Sequence, residues 1–234
     1  MKQDGKVGCG CLIFVLICVL IGAGLSAHPI SLKFLGNQFR YEDKLSPSDI
    51  LFVPRFEEDK NGEAYADAFR EFWAGNGRFI YVENDTVLGG SILDPVQKMA
   101  KARGIKEGLV RKMETDGEGL KKAYKIRKQF TAMGAKKVII LVPEYASRRY
   151  HMLYGNSGTG KTTYLIRPVN VSYFKKDGWW KNGPSRLLLL NELFILAPLS
   201  VEKFQHGSEK DATGAEGEGA NWTPRRNIVC TVQK

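Results

Sequence analysis

Lys137-Val138-Ile139-Ile140-Leu141-Val142 is the stretch that decides the fold. After the lysine no polar residue interrupts the run, and four of its five apolar residues are β-branched. A strand of this kind is buried on both faces, as strands are when helices cover both sides of a parallel sheet. The segments around it carry the complementary pattern. Upstream, Leu120, Ala123, Ile126, Phe130 and Met133 recur at steps of three and four, while Lys121, Lys122, Lys125 and Lys128 fall elsewhere. That spacing predicts an amphipathic helix over 118–133, closed by Gly134. Downstream, the pattern predicts a short helix over 147–154, a strand over 163–171 and a last amphipathic helix over 186–204.

Toward the N-terminus the same alternation continues. Ile50-Leu51-Phe52-Val53 follows Ser46-Pro47-Ser48-Asp49 and reads as a buried strand. Ala64, Ala68, Phe69 and Phe72 set a helix over 63–73, and Arg78-Phe79-Ile80-Tyr81-Val82 a second strand. A turn at Gly89-Gly90 leads to a helix over 94–102 stopped by Gly104, and a weaker strand follows over 108–113. Strand and helix in repeated alternation give an α/β domain: a mostly parallel, Rossmann-like sheet with helices on both faces.

The chain has 234 residues and a formal net charge of +10. From Lys98 to Arg149 there are fifteen Lys/Arg against five Asp/Glu, whereas His28 to Gln97 holds seven basic and twelve acidic residues. A basic region beside an acidic one suits an anionic partner, and equally a solvated helix surface. The four cysteines, Cys9, Cys11, Cys18 and Cys230, lie outside the domain, which excludes a domain disulfide, and no His/Cys spacing fits a metal site.

Val7 to Ala27 contains no charged residue and is long enough to cross a bilayer as a helix. A retained transmembrane anchor over 1–28 is expected. Lys2 and Lys6 before the span place the N-terminus in the cytoplasm and the domain outside. A cleaved signal peptide competes, but its −3 position would hold Leu25, which is not small. A lipoprotein signal would need small residues before Cys18, where Val15-Leu16-Ile17 stand. The domain boundaries follow: anchor 1–28, linker 29–47, α/β domain 48–204, and a tail over 205–234 rich in Gly, Ala and Glu, expected to be disordered.

Gly155-Asn156-Ser157-Gly158-Thr159-Gly160-Lys161-Thr162 fills every fixed position of the phosphate-loop pattern. In a working site such a loop joins a strand to a helix, whose N-terminus faces the phosphates. Here the preceding residues read as helix, and Thr163-Tyr164-Leu165-Ile166-Arg167-Pro168 favours a strand. Asn191 stands where a magnesium-binding Asp would be sought. The string is expected to be a glycine-rich turn, and a nucleoside triphosphatase stays as the alternative, since it requires a helix directly after Thr162.

The order of elements over 48–204 resembles the YdcF/SanA/ElyC-like family. Its opening strand after an Asp corresponds to Ser48-Asp49-Ile50-Leu51-Phe52-Val53, and its central Glu and turn to Glu114-Thr115-Asp116-Gly117-Glu118. Its most characteristic string falls on Val142-Pro143-Glu144-Tyr145-Ala146-Ser147-Arg148-Arg149, where the two arginines keep their place and the family's His is replaced by Ala146. The resemblance implies a Rossmann-like domain on a membrane helix, at the bacterial inner membrane, with a role in envelope biogenesis. Asp49, Glu114, Asp116, Arg148 and Arg149 are then the candidate ligand-binding residues. Guanidinium groups beside strand ends would hold a phosphate or carboxylate. A structural Arg–carboxylate pair is the competing reading of those residues. His151 is read as a surface or packing residue. The expected partners are the membrane and a small anionic or nucleotide-like ligand rather than nucleic acid. No cofactor, reaction or oligomeric state is named by these residues, and a non-catalytic envelope interaction protein is the third reading.

Overall fold

The structure is a computed structural model. It describes residue 24 and residues 28–84, 86–87, 90–115, 117, 119–155 and 162–212. The proposed membrane span (apart from Gly24) and Asp116 therefore lie outside the described residues. Among the described residues no helix is long and apolar enough to cross a membrane.

Five strands form one parallel sheet: β1 (Ile50–Val53), β2 (Phe79–Asn84), β5 (Val110–Glu114), β6 (Lys137–Pro143) and β7 (Thr163–Val169). Their order is β5-β2-β1-β6-β7. The register aligns Ile50 with Phe79 on one side and with Val138 on the other. Between β2 and the next helix, β3 (Thr86–Val87) and β4 (Gly90–Ser91) make a small antiparallel hairpin. The architecture is α/β and Rossmann-like, as the alternation predicts.

The period-2 geometry of strands sends alternate residues to opposite faces. Leu51, Val53, Ile80, Val82, Ile139 and Leu141 face α2 (Glu63–Trp73) and α3 (Leu93–Ala102), which contribute Ala64, Ala68, Phe69, Val96 and Ala100. On the other face Phe52 and Tyr81 meet Phe130 of α4 (Gly119–Ala132) edge-on, at ring distances of 5.4 and 6.0 Å. The short α5 (Ser147–Tyr154) follows β6 and leads back to β7.

Two segments depart from expectation. The supposed linker opens with a helix, α1 (Pro29–Gln38). Pro29 sits at the start, where its missing N–H costs nothing, and the His28 ring nitrogen accepts the N–H of Ile30 at 3.3 Å. From Phe39 the chain runs along the exposed edge of β7, where Asp43 and Ile166 exchange hydrogen bonds of 3.0 and 2.8 Å. That contact covers an edge strand that would otherwise be open to association. At the other end α6 (Gly183–Ala212) continues past Gly207, into the stretch expected to be disordered, and residues 213–234 lie outside the description. The chain divides into two compact units after Leu196; the sheet, α1 to α5 and the first part of α6 belong to the first.

Candidate functional site at the carboxyl edge of the sheet

Strand order reverses between β1 and β6, so the chain leaves these neighbours in opposite directions and a crevice opens beyond their carboxyl ends. The residues that follow β1, β6 and β7 meet there. Phe56 comes from the first connection, Tyr145 from the turn after β6, and Tyr173 and Phe174 from the segment after β7. The ring of Tyr145 lies 6.3 Å from Phe56, 5.1 Å from Phe174 and 6.4 Å from Tyr173. Phe56 also touches Tyr150, which stacks on Tyr154 one helical turn along α5.

Tyr145 is only 3% exposed, and its hydroxyl has no hydrogen-bond partner; nor has the buried hydroxyl of Tyr173. The two phenols face each other at the edge of hydrogen-bond reach, with Tyr145 on the donor side, but their contact falls short of the geometry of a full bond. Burial pushes both well above the ordinary phenol range, so both stay protonated donors. A buried polar atom without a partner is uncommon in a folded protein and calls for an explanation. Beside Phe174 a cleft of about 260 Å³ opens, lined also by Glu144, Asn170, Val171, Lys176 and Asp177.

Acidic groups dominate the rest of this edge. Glu83, 3% exposed near the end of β2, accepts the Arg55 N–H at 3.1 Å and the Thr115 hydroxyl at 3.0 Å, and pairs with Lys122 of α4. The N-terminus of α2, where a Rossmann-type site would receive a phosphate, is already occupied. Gly62 precedes the helix in a left-handed conformation (φ 68°) and has no side chain to cap it. Asp59 takes that role, accepting the N–H groups of Glu63 and Ala64 at 2.8 and 2.9 Å. Glu63 adds a second carboxylate, held below the ordinary range chiefly by the Ser172 hydroxyl. The helix end thus has its anions built in.

The residues expected to converge are brought together only in part. Arg149 points inward from α5 and makes a two-pronged bond to Glu192 of α6, at 2.9 and 2.7 Å. Glu192 is 2% exposed, and burial raises its carboxyl above the ordinary range against the pull of Arg149. This is a buried ion pair, in which removing either partner strands the other charge at a cost of about 3–5 kcal/mol. Arg148 is exposed, its guanidinium 6.0 Å from the ring of Tyr41. Glu114 ends the outer strand β5, and its side chain pairs with Lys112 at 2.6 Å. Asp49 stands at the opposite, amino end of the sheet. Its carboxylate accepts the N–H groups of Lys136 and Lys137 at 2.8 and 3.1 Å, tying the start of β1 to that of β6. Asp49 thus shares no pocket with Arg149 or Glu114.

The ring of His151 stacks on Tyr41 at 3.6 Å. Ala146, at the position of the family's His, is fully buried. The glycine-rich string joins α5 to β7, so a strand starts at Thr163 where a phosphate loop needs a helix; its residues 156–161 lie outside the description.

Comparison with family models, with curated proteins and with solved structures returned no match. The site therefore rests on its own chemistry. Sequence reading missed Glu83, Asp59, Tyr145 and Tyr173. A signal existed for two of them, since Glu83 comes directly after the apolar stretch of its strand and Tyr145 two residues after the end of β6, where a doubly wound sheet presents its ligands.

Proposed function

We propose that this chain is a single-pass membrane protein of the bacterial envelope whose YdcF-like domain binds a small nucleotide-like ligand at the carboxyl edge of the sheet. The observation that carries the binding site is the pair of buried, unpartnered hydroxyls on Tyr145 and Tyr173. Aromatic faces beside phenol donors and carboxylate acceptors fit a ring bearing hydroxyl groups. The anionic part of the ligand has no place at α2, whose N-terminus Asp59 and Glu63 fill, nor at Arg149, which Glu192 holds. In the adjoining cleft Lys176 and Asn170 would receive it, beside the carboxylates of Glu144 and Asp177. The anchor reading is supported by the uncharged run Val7–Ala27, and the envelope role by the family resemblance.

The test is a thermal-shift screen of nucleotides and nucleotide sugars on the full chain in detergent, repeated on Tyr145→Phe/Tyr173→Phe. Without ligand the double variant is expected to melt at or above the wild-type temperature, because an unsatisfied buried hydroxyl costs about 1–3 kcal/mol. The ligand-induced shift should be lost. Retention of the whole shift by the variant, or no shift with any compound, overturns the proposal. No shift at all would favour an envelope interaction protein instead, a reading to which the internally occupied anion positions already lend weight.

A further inference from the structure

α1 and α6 both contribute to a small core around Trp179, in which Leu32, Phe39, Leu189 and Leu196 take part. The indole N–H of Trp179 donates to the carbonyl of Leu32 at 2.9 Å. On α6 the inward side is taken by Ser185, Leu189 and Glu192. The outward side is nevertheless apolar: Leu187 is 71% exposed, Leu190 45%, Leu193 44% and Phe194 74%. On α1, Ile30 and Phe34 stand one turn apart and are 74% and 66% exposed. Single exposed apolar side chains are ordinary on a protein surface. Six on two helices that share a core mark a surface meant to be covered.

Two observations name the cover. The approach to α6 is basic and partly aromatic: Lys175, Lys181 and Arg186 are exposed, with the half-buried Trp180 among them, against Asp177 alone. Lys/Arg and Trp beside an apolar helix face is the composition of a segment lying at a bilayer surface with anionic headgroups. The second observation is where the chain comes from. The uncharged stretch Val7–Ala27 ends at Ala27, next to His28, the N-cap of α1, so a span there would deliver α1 to the headgroup layer.

We propose that the outward faces of α6 and α1 lie in the interfacial layer of an anionic-lipid bilayer and hold the α/β domain against the membrane. The proposal rests on the anchor reading for α1, while the face of α6 stands apart from it. The test uses the full chain with Cys9, Cys11, Cys18 and Cys230 changed to Ala and one new cysteine, Phe194→Cys, Phe34→Cys or Lys101→Cys, carrying an environment-sensitive fluorophore. Lys101 is exposed on α3 and serves as the control. In vesicles of phosphatidylcholine and phosphatidylglycerol, lipids carrying a spin-label quencher in the chain should quench positions 194 and 34 severalfold more than position 101. Carbonate extraction of the same vesicles reports on the anchor separately. A chain that resists extraction but shows equal quenching at all three positions keeps the anchor and sinks the face. A chain stripped by carbonate yet quenched at 194 beforehand sinks the anchor and keeps the face. Protein-concentration-dependent blue shifts in detergent, with no lipid quenching in vesicles, would assign the face to a second copy and overturn the proposal.

Discussion

At the scale of single residues, carboxylates decide how the domain is held. Asp49 accepts two backbone N–H groups at the starts of β6, and those bonds, that of Lys136 foremost, keep its carboxyl below the ordinary range. A carboxyl whose folded pKa is depressed stabilises the fold fully above its unfolded value, about 3.9. The stabilisation disappears as pH falls through the folded value. Asp49→Asn keeps an acceptor oxygen and is therefore expected to lose about 1 kcal/mol at neutral pH, the difference between bonds to a charged and to a neutral acceptor, lessened by solvent screening. Wild type and variant should converge as the pH is lowered, because a protonated Asp49 is then little different from the amide. Urea unfolding midpoints across a pH series measure this, and a gap independent of pH would refute it. Arg149 and Glu192 behave differently. Their bonds are strong, but desolvation of both charges offsets the attraction, so the pair specifies how α6 seats on α5 more than it adds stability.

Among the elements, α1 shows what a pattern can hide. Its inward residues are Leu32 and Gly36, while Ile30 and Phe34 face out, so the apolar spacing does not trace a core-facing stripe. The reason it docks lies in Trp179, 147 positions away. Gly36 is a requirement of that contact: a Cβ there would come within 2.8 Å of the indole nitrogen and 2.9 Å of its neighbouring carbon. Gly36→Ala should therefore push Trp179 aside, weaken its bond to Leu32 and cost about 1–3 kcal/mol, the usual penalty of overpacking. A changed tryptophan emission together with a lowered melting temperature is the expected signature; an unchanged spectrum and temperature would show that α1 is free to shift. The strands were legible for the opposite reason. Each of β1, β2 and β6 is apolar on consecutive positions, a local property that needs no partner to be read. The site was less legible because its features are relations. That Arg149 meets Glu192, or that the Tyr145 hydroxyl meets nothing, depends on chain segments brought close only by the fold.

On the scale of the whole molecule, the sheet separates two ends that the sequence presents as rival sites. The carboxyl ends of β1, β6 and β7 carry the tyrosine cluster, and that of β2 carries Glu83. The amino ends of β1, β6 and β7 carry Asp49, Thr162 and the exit of the glycine-rich string, with the Thr162 hydroxyl bonded to the carbonyl of Ala135 at 2.7 Å. A parallel sheet puts helix N-termini, and hence its anion-attracting dipole ends, at the carboxyl side. The string arrives at the other side, before a strand, so its glycines have no helix end to complete a phosphate cradle. Lys161→Ala should then leave any nucleotide affinity of the full chain unchanged within about twofold, a difference of roughly 0.4 kcal/mol. Tyr145→Phe/Tyr173→Phe should abolish that affinity. Titration calorimetry on both variants, with and without magnesium, separates the two ends. A tenfold loss in Lys161→Ala, seen only with magnesium present, would return the phosphate-loop reading, since that lysine acts on the β- and γ-phosphates and its neighbouring hydroxyl on the metal.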